Sequence, residues 1–269
     1  MSFRCVSEDI YKLDIPCGDG YTSVFAFHNG GKWILADAGM SADDVDRCIL
    51  PAAKERDIAP EWLVCSHLHD DHYGGFARLS ELFPTAKAAS FGNEGIPGLR
   101  TKYRLTDGEQ LLDRYTVLSL GGHTAESIGI FDNRKRVLVA FDSLQLFGIG
   151  AYGTNIQSPG EYAKTLDRVS ALQADGIIAS HDYVPCGAEA FGREAADTFI
   201  DECRRAVKLI TDTIFTVVDT AELSSAQPKE AATQAAERVA AVYNAENKHL
   251  PLISSWTVQN FLTDLLKLK

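Results

Sequence analysis

Trp62-Leu63-Val64-Cys65-Ser66-His67-Leu68-His69-Asp70-Asp71-His72 carries the chain from an apolar strand straight into a cluster of metal-binding side-chain types. His67 and His69 are two apart in an extended segment, so their imidazoles project to the same side. Asp71 and His72 fall where the chain turns into the next helix. Three of the seven histidines sit in this one stretch. A lone histidine or an acidic loop is usually a solvated or satisfied residue, but four ligand types at this spacing point to metal chemistry, with room for two adjacent ions.

Such a site needs ligands from other parts of the chain. His123 follows Tyr115-Thr116-Val117-Leu118-Ser119-Leu120 and two glycines, Asp142 follows Val137-Leu138-Val139-Ala140-Phe141, and His181 follows Gly176-Ile177-Ile178-Ala179-Ser180. Each is a strand ending in a candidate ligand, where a loop presents a side chain at the edge of a sheet. Any one alone reads as an ordinary polar strand end; the repetition gives them weight.

These residues resemble the metallo-β-lactamase fold superfamily, whose HxHxDH motif is followed by a later His, an Asp and a last His in the same order. The similarity spans roughly residues 8 to 185. It takes in Ile34-Leu35-Ala36-Asp37-Ala38-Gly39, similar to the superfamily's early strand ending in Asp-x-Gly, and Gly122-His123-Thr124-Ala125-Glu126-Ser127, similar to its GHTxxS segment. The resemblance implies an α/β fold, an αββα four-layer sandwich of two mixed sheets face to face with helices on both outer surfaces. It implies that His67, His69 and His123 hold one metal ion, that Asp71, His72 and His181 hold another, and that Asp142 bridges them. Two divalent ions are therefore expected, zinc first, with iron or manganese also suited to a nitrogen and oxygen ligand set. Asp37 is expected to orient a ligand histidine rather than to bind metal itself.

Composition agrees. A chain of 269 residues with 45% hydrophobic content can bury a layered core and additional helices. The net charge of −11, with no run of Lys and Arg to offset it, opposes binding to nucleic acid. Met1 to Asp9 lacks an apolar core of signal-peptide length, and no later segment approaches the roughly eighteen apolar residues of a membrane span, so a cytoplasmic protein with no membrane partner is expected. The six cysteines form no CxxC pair, which fits free thiols in a reducing compartment, with Cys65 a packed strand residue.

Hydrophobic periodicity predicts strands near 9–14, 22–28, 32–36, 62–66, 86–90, 115–120, 127–131, 136–141 and 176–180, and helices near 42–55, 74–83 and 160–173. Tyr162, Leu166, Val169 and Leu172 form one helical stripe. Beyond His181 the pattern is helical, with stripes at Phe199, Cys203, Ala206, Ile210 and Ile214, at Val239, Val242 and Tyr243, and at Leu252, Trp256, Phe261, Leu262 and Leu265. The expected division is a metallo-β-lactamase-like domain over residues 1–195 and a helical extension over 196–269 packed on it. A homodimer contact or a substrate lid is the alternative use of those helices. Ser224-Ser225-Ala226-Gln227-Pro228 reads as a linker leading into a helix.

Two ions about 3.5–4 Å apart acidify a shared water, and the resulting hydroxide attacks a carbonyl while the second ion stabilises the oxyanion. Asp142 keeps the ions together, and Asp71 accepts or relays a proton in addition to binding; these are the expected catalytic residues. The full ligand set resembles glyoxalase II and the acyl-homoserine lactonases rather than the exported β-lactamases, which implies a small-molecule thioester, lactone or related ester as substrate. Asp142-Ser143-Leu144, Gly148-Ile149-Gly150 and His181-Asp182-Tyr183 are similar to glyoxalase II segments, whereas Ala151 stands where that family keeps a glutathione-holding lysine, and Gln145 where the lactonases carry a tyrosine. Phe147 and Tyr152 are candidates for an apolar acyl pocket or for surface packing. Arg204, Arg205 and Lys208 read as a solvated helix face. Two other classes stay open: a sulfur dioxygenase-like enzyme, whose family shares nearly the whole motif and binds one iron through positions matching His67, His123 and Asp142, and a non-catalytic small-molecule-binding signalling protein.

Overall fold

The computed structural model describes residues 1–92, 95–99, 103–219 and 228–266. Among them, seven strands form a first sheet whose spatial order follows the chain: Arg4–Ser7, Ile10–Cys17, Gly20–Asn29, Lys32–Ala36, Pro60–Cys65, Lys87–Phe91 and Tyr103–Leu105. The first four pair antiparallel and the last four parallel, so the sheet is mixed. In the second sheet Val137–Phe141 and Gly176–Tyr183 run parallel at the centre. Ile128–Asp132, Tyr115–Ser119 and Gln110–Leu111 extend it on one side, and Gly148–Ile149 and Tyr152–Gly153 on the other.

Strand alternation sorts the side chains into layers. Phe25, Phe27, Ile34, Ala36 and Val64 of the first sheet meet Val117, Ile130, Val139, Phe141 and Ile178 of the second in an apolar layer between the sheets. Their neighbours in sequence face outward. Val24, Ala26, Leu35 and Leu63 pack under Val45, Ile49, Phe76 and Leu79 from the helical segments of 42–55 and 76–82. Leu118, Leu138, Ala140 and Ile177 pack under Tyr162, Leu166 and Val169 of helix Pro159–Leu172. The result is the expected four layers, helix, sheet, sheet, helix.

The C-terminal helices Arg193–Val217, Pro228–Glu246 and Ser255–Leu266 continue the outer layer of the second sheet. Phe199, Cys203, Ala206, Ile210 and Ile214 are buried as their spacing indicated, and so is Tyr243. The last stripe is only half right. Phe261 and Leu262 are buried, but Leu252 precedes its helix and is exposed, as are Trp256 and Leu265, and Val258 takes the core position instead. Arg204, Arg205 and Lys208 lie on an exposed face in ion pairs with Asp201, Glu202 and Asp212. Residues 224–227 of the expected linker lie outside the described residues. No helix among the described residues is long and apolar enough to cross a membrane.

Candidate active site

The seven residues singled out by the sequence come together at one end of the sandwich, in or shortly after strands. His67 and His69 follow strand Pro60–Cys65, and Asp71 and His72 lie in the short helix Asp70–Tyr73 that comes next. His123 follows Tyr115–Ser119, Asp142 follows Val137–Phe141, and His181 lies within Gly176–Tyr183.

Three imidazoles converge in a first group. His69 Nδ1 lies 3.0 Å from His67 Nε2 and 3.0 Å from His123 Nε2, and the latter two are 3.3 Å apart. Ligand nitrogens around one tetrahedral zinc ion lie about 3.3 Å from one another. In a second group, Asp71 Oδ2 lies 3.2 Å from His72 Nε2 and 3.3 Å from His181 Nε2. Asp142 Oδ2 stands between the groups, 3.2 Å from His181, 3.5 Å from His72, 3.8 Å from His123 and 4.0 Å from His67.

The far side of four of the five rings fixes the tautomer. His72 Nδ1 donates to Asp37 Oδ2 at 2.8 Å, His123 Nδ1 to the Asn155 carbonyl at 2.7 Å, and His181 Nδ1 to the Tyr21 carbonyl at 2.6 Å. His67 Nδ1 donates to Ser66 Oγ at 3.0 Å, and that hydroxyl donates to Asp37 Oδ2 at 2.8 Å. With Nδ1 committed as a donor in these four rings, each Nε2 faces the cluster and is the atom that would give its lone pair to a cation. Asp37 also accepts from the Ser66 amide, so it orients both His67 and His72 as expected and touches no other part of the cluster.

Electrostatics separates the groups. Burial holds His67 and His69 below the usual histidine range and lowers His123 to about 4, so these rings are neutral and free to ligate. Burial also works against charge on His72 and His181, but the neighbouring carboxylates outweigh it. Asp142, Asp71 and Asp37 hold His72 well above its ordinary value, and Asp142 and Asp71 raise His181 to about 10. The second group thus demands positive charge. His72 Nε2 and Asp142 Oδ1 are buried with no hydrogen-bond partner, which is costly unless a cation completes them. The donor set suits divalent metal ions, and among the described residues three overlapping groups have ligand atoms close enough to share one: His67, His69 and His123; His67, His72 and Asp142; Asp71, His72 and His181.

Gly122 explains the approach of His123. Its φ is +129°, and a Cβ there would fall 2.5 Å from Tyr162 Cα and 2.7 Å from Tyr162 N. Only glycine lets the loop lie against the start of helix Pro159–Leu172. Sequence reasoning missed Asn155 and Tyr21, which act through backbone carbonyls and leave no side-chain signal. It also missed Glu126, whose Oε1 accepts the Leu68 amide at 3.0 Å and pins the loop between His67 and His69. Phe147 and Tyr152 do not form an acyl pocket: Phe147 is buried beneath the Arg205 guanidinium and Tyr152 projects into solvent.

Comparison with known proteins agrees with this geometry. Hydroxyacylglutathione hydrolase from Citrobacter koseri (strain ATCC BAA-895 / CDC 4225-83 / SGSC4696) is 28% identical, over 70% of this chain and 72% of its own length. Hydroxyacylglutathione hydrolase 2 from Vibrio vulnificus (strain YJ016) is 30% identical over 60% of this chain, which spans 65% of that relative's length. The crystal structure of a metallo-beta-lactamase from Pseudomonas aeruginosa in its mono-zinc form, 18% identical, superposes over 77% of this chain and 96% of its own with a TM-score of 0.59, a likeness of fold. The family model for the metallo-beta-lactamase superfamily matches residues 17–181, a range that holds all seven clustered residues. The chain belongs to the metallo-beta-lactamase superfamily.

Proposed function

We propose that this protein is a binuclear metallohydrolase, zinc-dependent, that cleaves a thioester, lactone or related ester of a small molecule. The observation that carries this reading is the position of Asp142 Oδ2, within 4.0 Å of histidines from both groups, where one carboxylate oxygen can serve two cations.

His67, His69 and His123 would hold one cation through neutral nitrogens and Asp71, His72 and His181 the other, with Asp142 Oδ2, within 4.0 Å of histidines of both groups, available to each. A cation pair at this site supplies an acidified water as nucleophile and a Lewis acid for the carbonyl oxygen. The chain's own groups do the rest. Asp142 keeps the two positive charges together, and Asp37 and Ser66 keep the rings aimed. Asp71, whose side chain remains 22% exposed, accepts a proton at its carboxylate and passes it to the departing thiol or alcohol. The acyl carbon to sulfur or oxygen bond breaks, and water is consumed to give the acid.

The names of the relatives support a thioester, while the exposed Ala151, where glyoxalase II keeps its glutathione-holding lysine, argues for a thiol carrier other than glutathione. All six cysteines are unpaired, which suits a reducing, cytoplasmic setting. A homodimer through the C-terminal helices, where Phe215 and Trp256 are exposed, belongs to the same reading and is checked by the mass in solution.

The test is a panel of thioesters, lactones, aryl esters, phosphodiesters, β-lactams and persulfides, run with and without oxygen against the zinc-loaded and, separately, the iron-loaded protein. Turnover of thioesters or lactones is the expected result. Activity confined to a persulfide, dependent on oxygen and one iron per chain, would overturn it in favour of a dioxygenase, and no turnover with a tightly held small molecule would favour a signal-binding role.

A further inference from the structure

We propose, on the basis of the binuclear reading above, that Gln145 is a positioning residue that couples the bridging carboxylate to the support of His123. Gln145 is 3% exposed and sits three residues beyond Asp142. Its Nε2 donates to the Asp142 carbonyl at 2.8 Å and to Tyr183 Oη at 3.0 Å. Its Oε1 accepts the Asn155 amide at 3.0 Å. Asn155 in turn offers its carbonyl to His123 Nδ1. One side-chain amide therefore joins three segments: the loop of Asp142, the strand end two residues past His181, and the backbone under His123.

The partners also fix which way the amide points. The Asp142 carbonyl can only accept and the Asn155 amide can only donate, so neither end can be exchanged for the other. A side chain of this length with both a donor and an acceptor is required. Glutamate lacks the donors, and leucine lacks both. The Gln145 backbone closes the arrangement by donating to Tyr162 Oη at 2.9 Å, and Tyr162 is the residue against which Gly122 packs. His123 and Asp142 are thus set relative to each other by two routes, through Asn155 and through Tyr162, that meet at Gln145. The Gln145 side chain bonds to the Asp142 carbonyl, Tyr183 Oη and the Asn155 amide and is in none of the ligand groups, so it acts on metal binding through the groups it holds.

The test is Zn²⁺ affinity of the full chain, measured by competition with a chromophoric chelator, for wild type, Gln145→Leu, Gln145→Glu and Val169→Ala. Val169 is a buried core residue of helix Pro159–Leu172 remote from the cluster, and its truncation controls for loss of stability alone. Both Gln145 variants are expected to bind zinc about 10- to 100-fold more weakly than wild type, as for other groups that orient metal ligands, while Val169→Ala stays within about twofold at a comparable loss in thermal midpoint. If Gln145→Leu does not fold, the near-isosteric Gln145→Glu decides. Wild-type affinity in the Gln145 variants, or an equal loss in Val169→Ala, would overturn the proposal and leave the binuclear reading standing. A wild type that binds no zinc would overturn both.

Discussion

His72 Nδ1 lies 2.8 Å from Asp37 Oδ2, and neither side chain has any exposed surface. A buried carboxylate is tolerated there because it accepts from His72, from the Ser66 hydroxyl and from the Ser66 amide. Asp37→Asn puts an amide donor against at least one of these donors and frees the ring to turn. The expected outcome is about a 10- to 100-fold loss of affinity at the site of His72, which Asp37 contacts directly, and a smaller loss at the site of His67, which it reaches through the Ser66 hydroxyl. Titration with zinc followed by equilibrium dialysis reads this as a fall from two tight sites to one.

Gly122→Ala should destabilise the fold and disturb the site together. The added methyl meets backbone atoms of Tyr162 at 2.5–2.7 Å, in a conformation that L-residues rarely adopt. A loss of at least about 2 kcal/mol is expected, read from the urea midpoint, with weaker metal binding at the site of His123. Wild-type values for both would refute the steric account.

Much of this was legible in the sequence, and the exceptions have physical causes. The long strands follow alternation, as Val24-Phe25-Ala26-Phe27 does between two apolar layers. The strands that escaped notice are Arg4–Ser7, Tyr103–Leu105, Gln110–Leu111, Gly148–Ile149, Tyr152–Gly153 and Gly187–Phe191, none longer than five residues and each with too few large apolar side chains to carry a period. Ligand candidates stood out because histidine is rare in the chain and falls at strand ends. What holds the ligands did not stand out: the carbonyls of Asn155 and Tyr21 belong to every residue type, and Gln145 shows its function only once three distant segments are brought together. Phe147, open in the sequence between an acyl pocket and packing, packs inward, because a loop aromatic can turn inward as easily as outward.

Asp9 links stability to pH away from the cluster. Its carboxylate meets the buried Arg114, which also binds the fully buried Asp132. Burial pushes the Asp9 pKa up, but hydrogen bonds from Arg114 and His28 outweigh it and leave it below the ordinary 3.8. A depressed carboxylate contributes stability above its unfolded value, and that contribution is lost as pH falls through the folded value. Asp9→Asn should therefore melt lower than wild type at pH 7, by an amount corresponding to about 1–3 kcal/mol, and the two melting curves should converge below pH 3.8. Parallel curves across the acid range would contradict this.

Asp142→Ala removes the one carboxylate shared by both groups and leaves two cations to repel each other without an intervening anion. Hydrolytic activity should fall below detection, and metal content should drop to one ion or none. A variant that retained full activity would reject the binuclear mechanism.

The most direct measurement is the zinc-to-protein ratio of the wild-type chain, loaded with zinc, freed of excess by gel filtration and analysed by inductively coupled plasma mass spectrometry. The account expects two ions per chain, held by His67, His69 and His123 on one side and Asp71, His72 and His181 on the other, with Asp142 shared. A ratio of zero or one would contradict it.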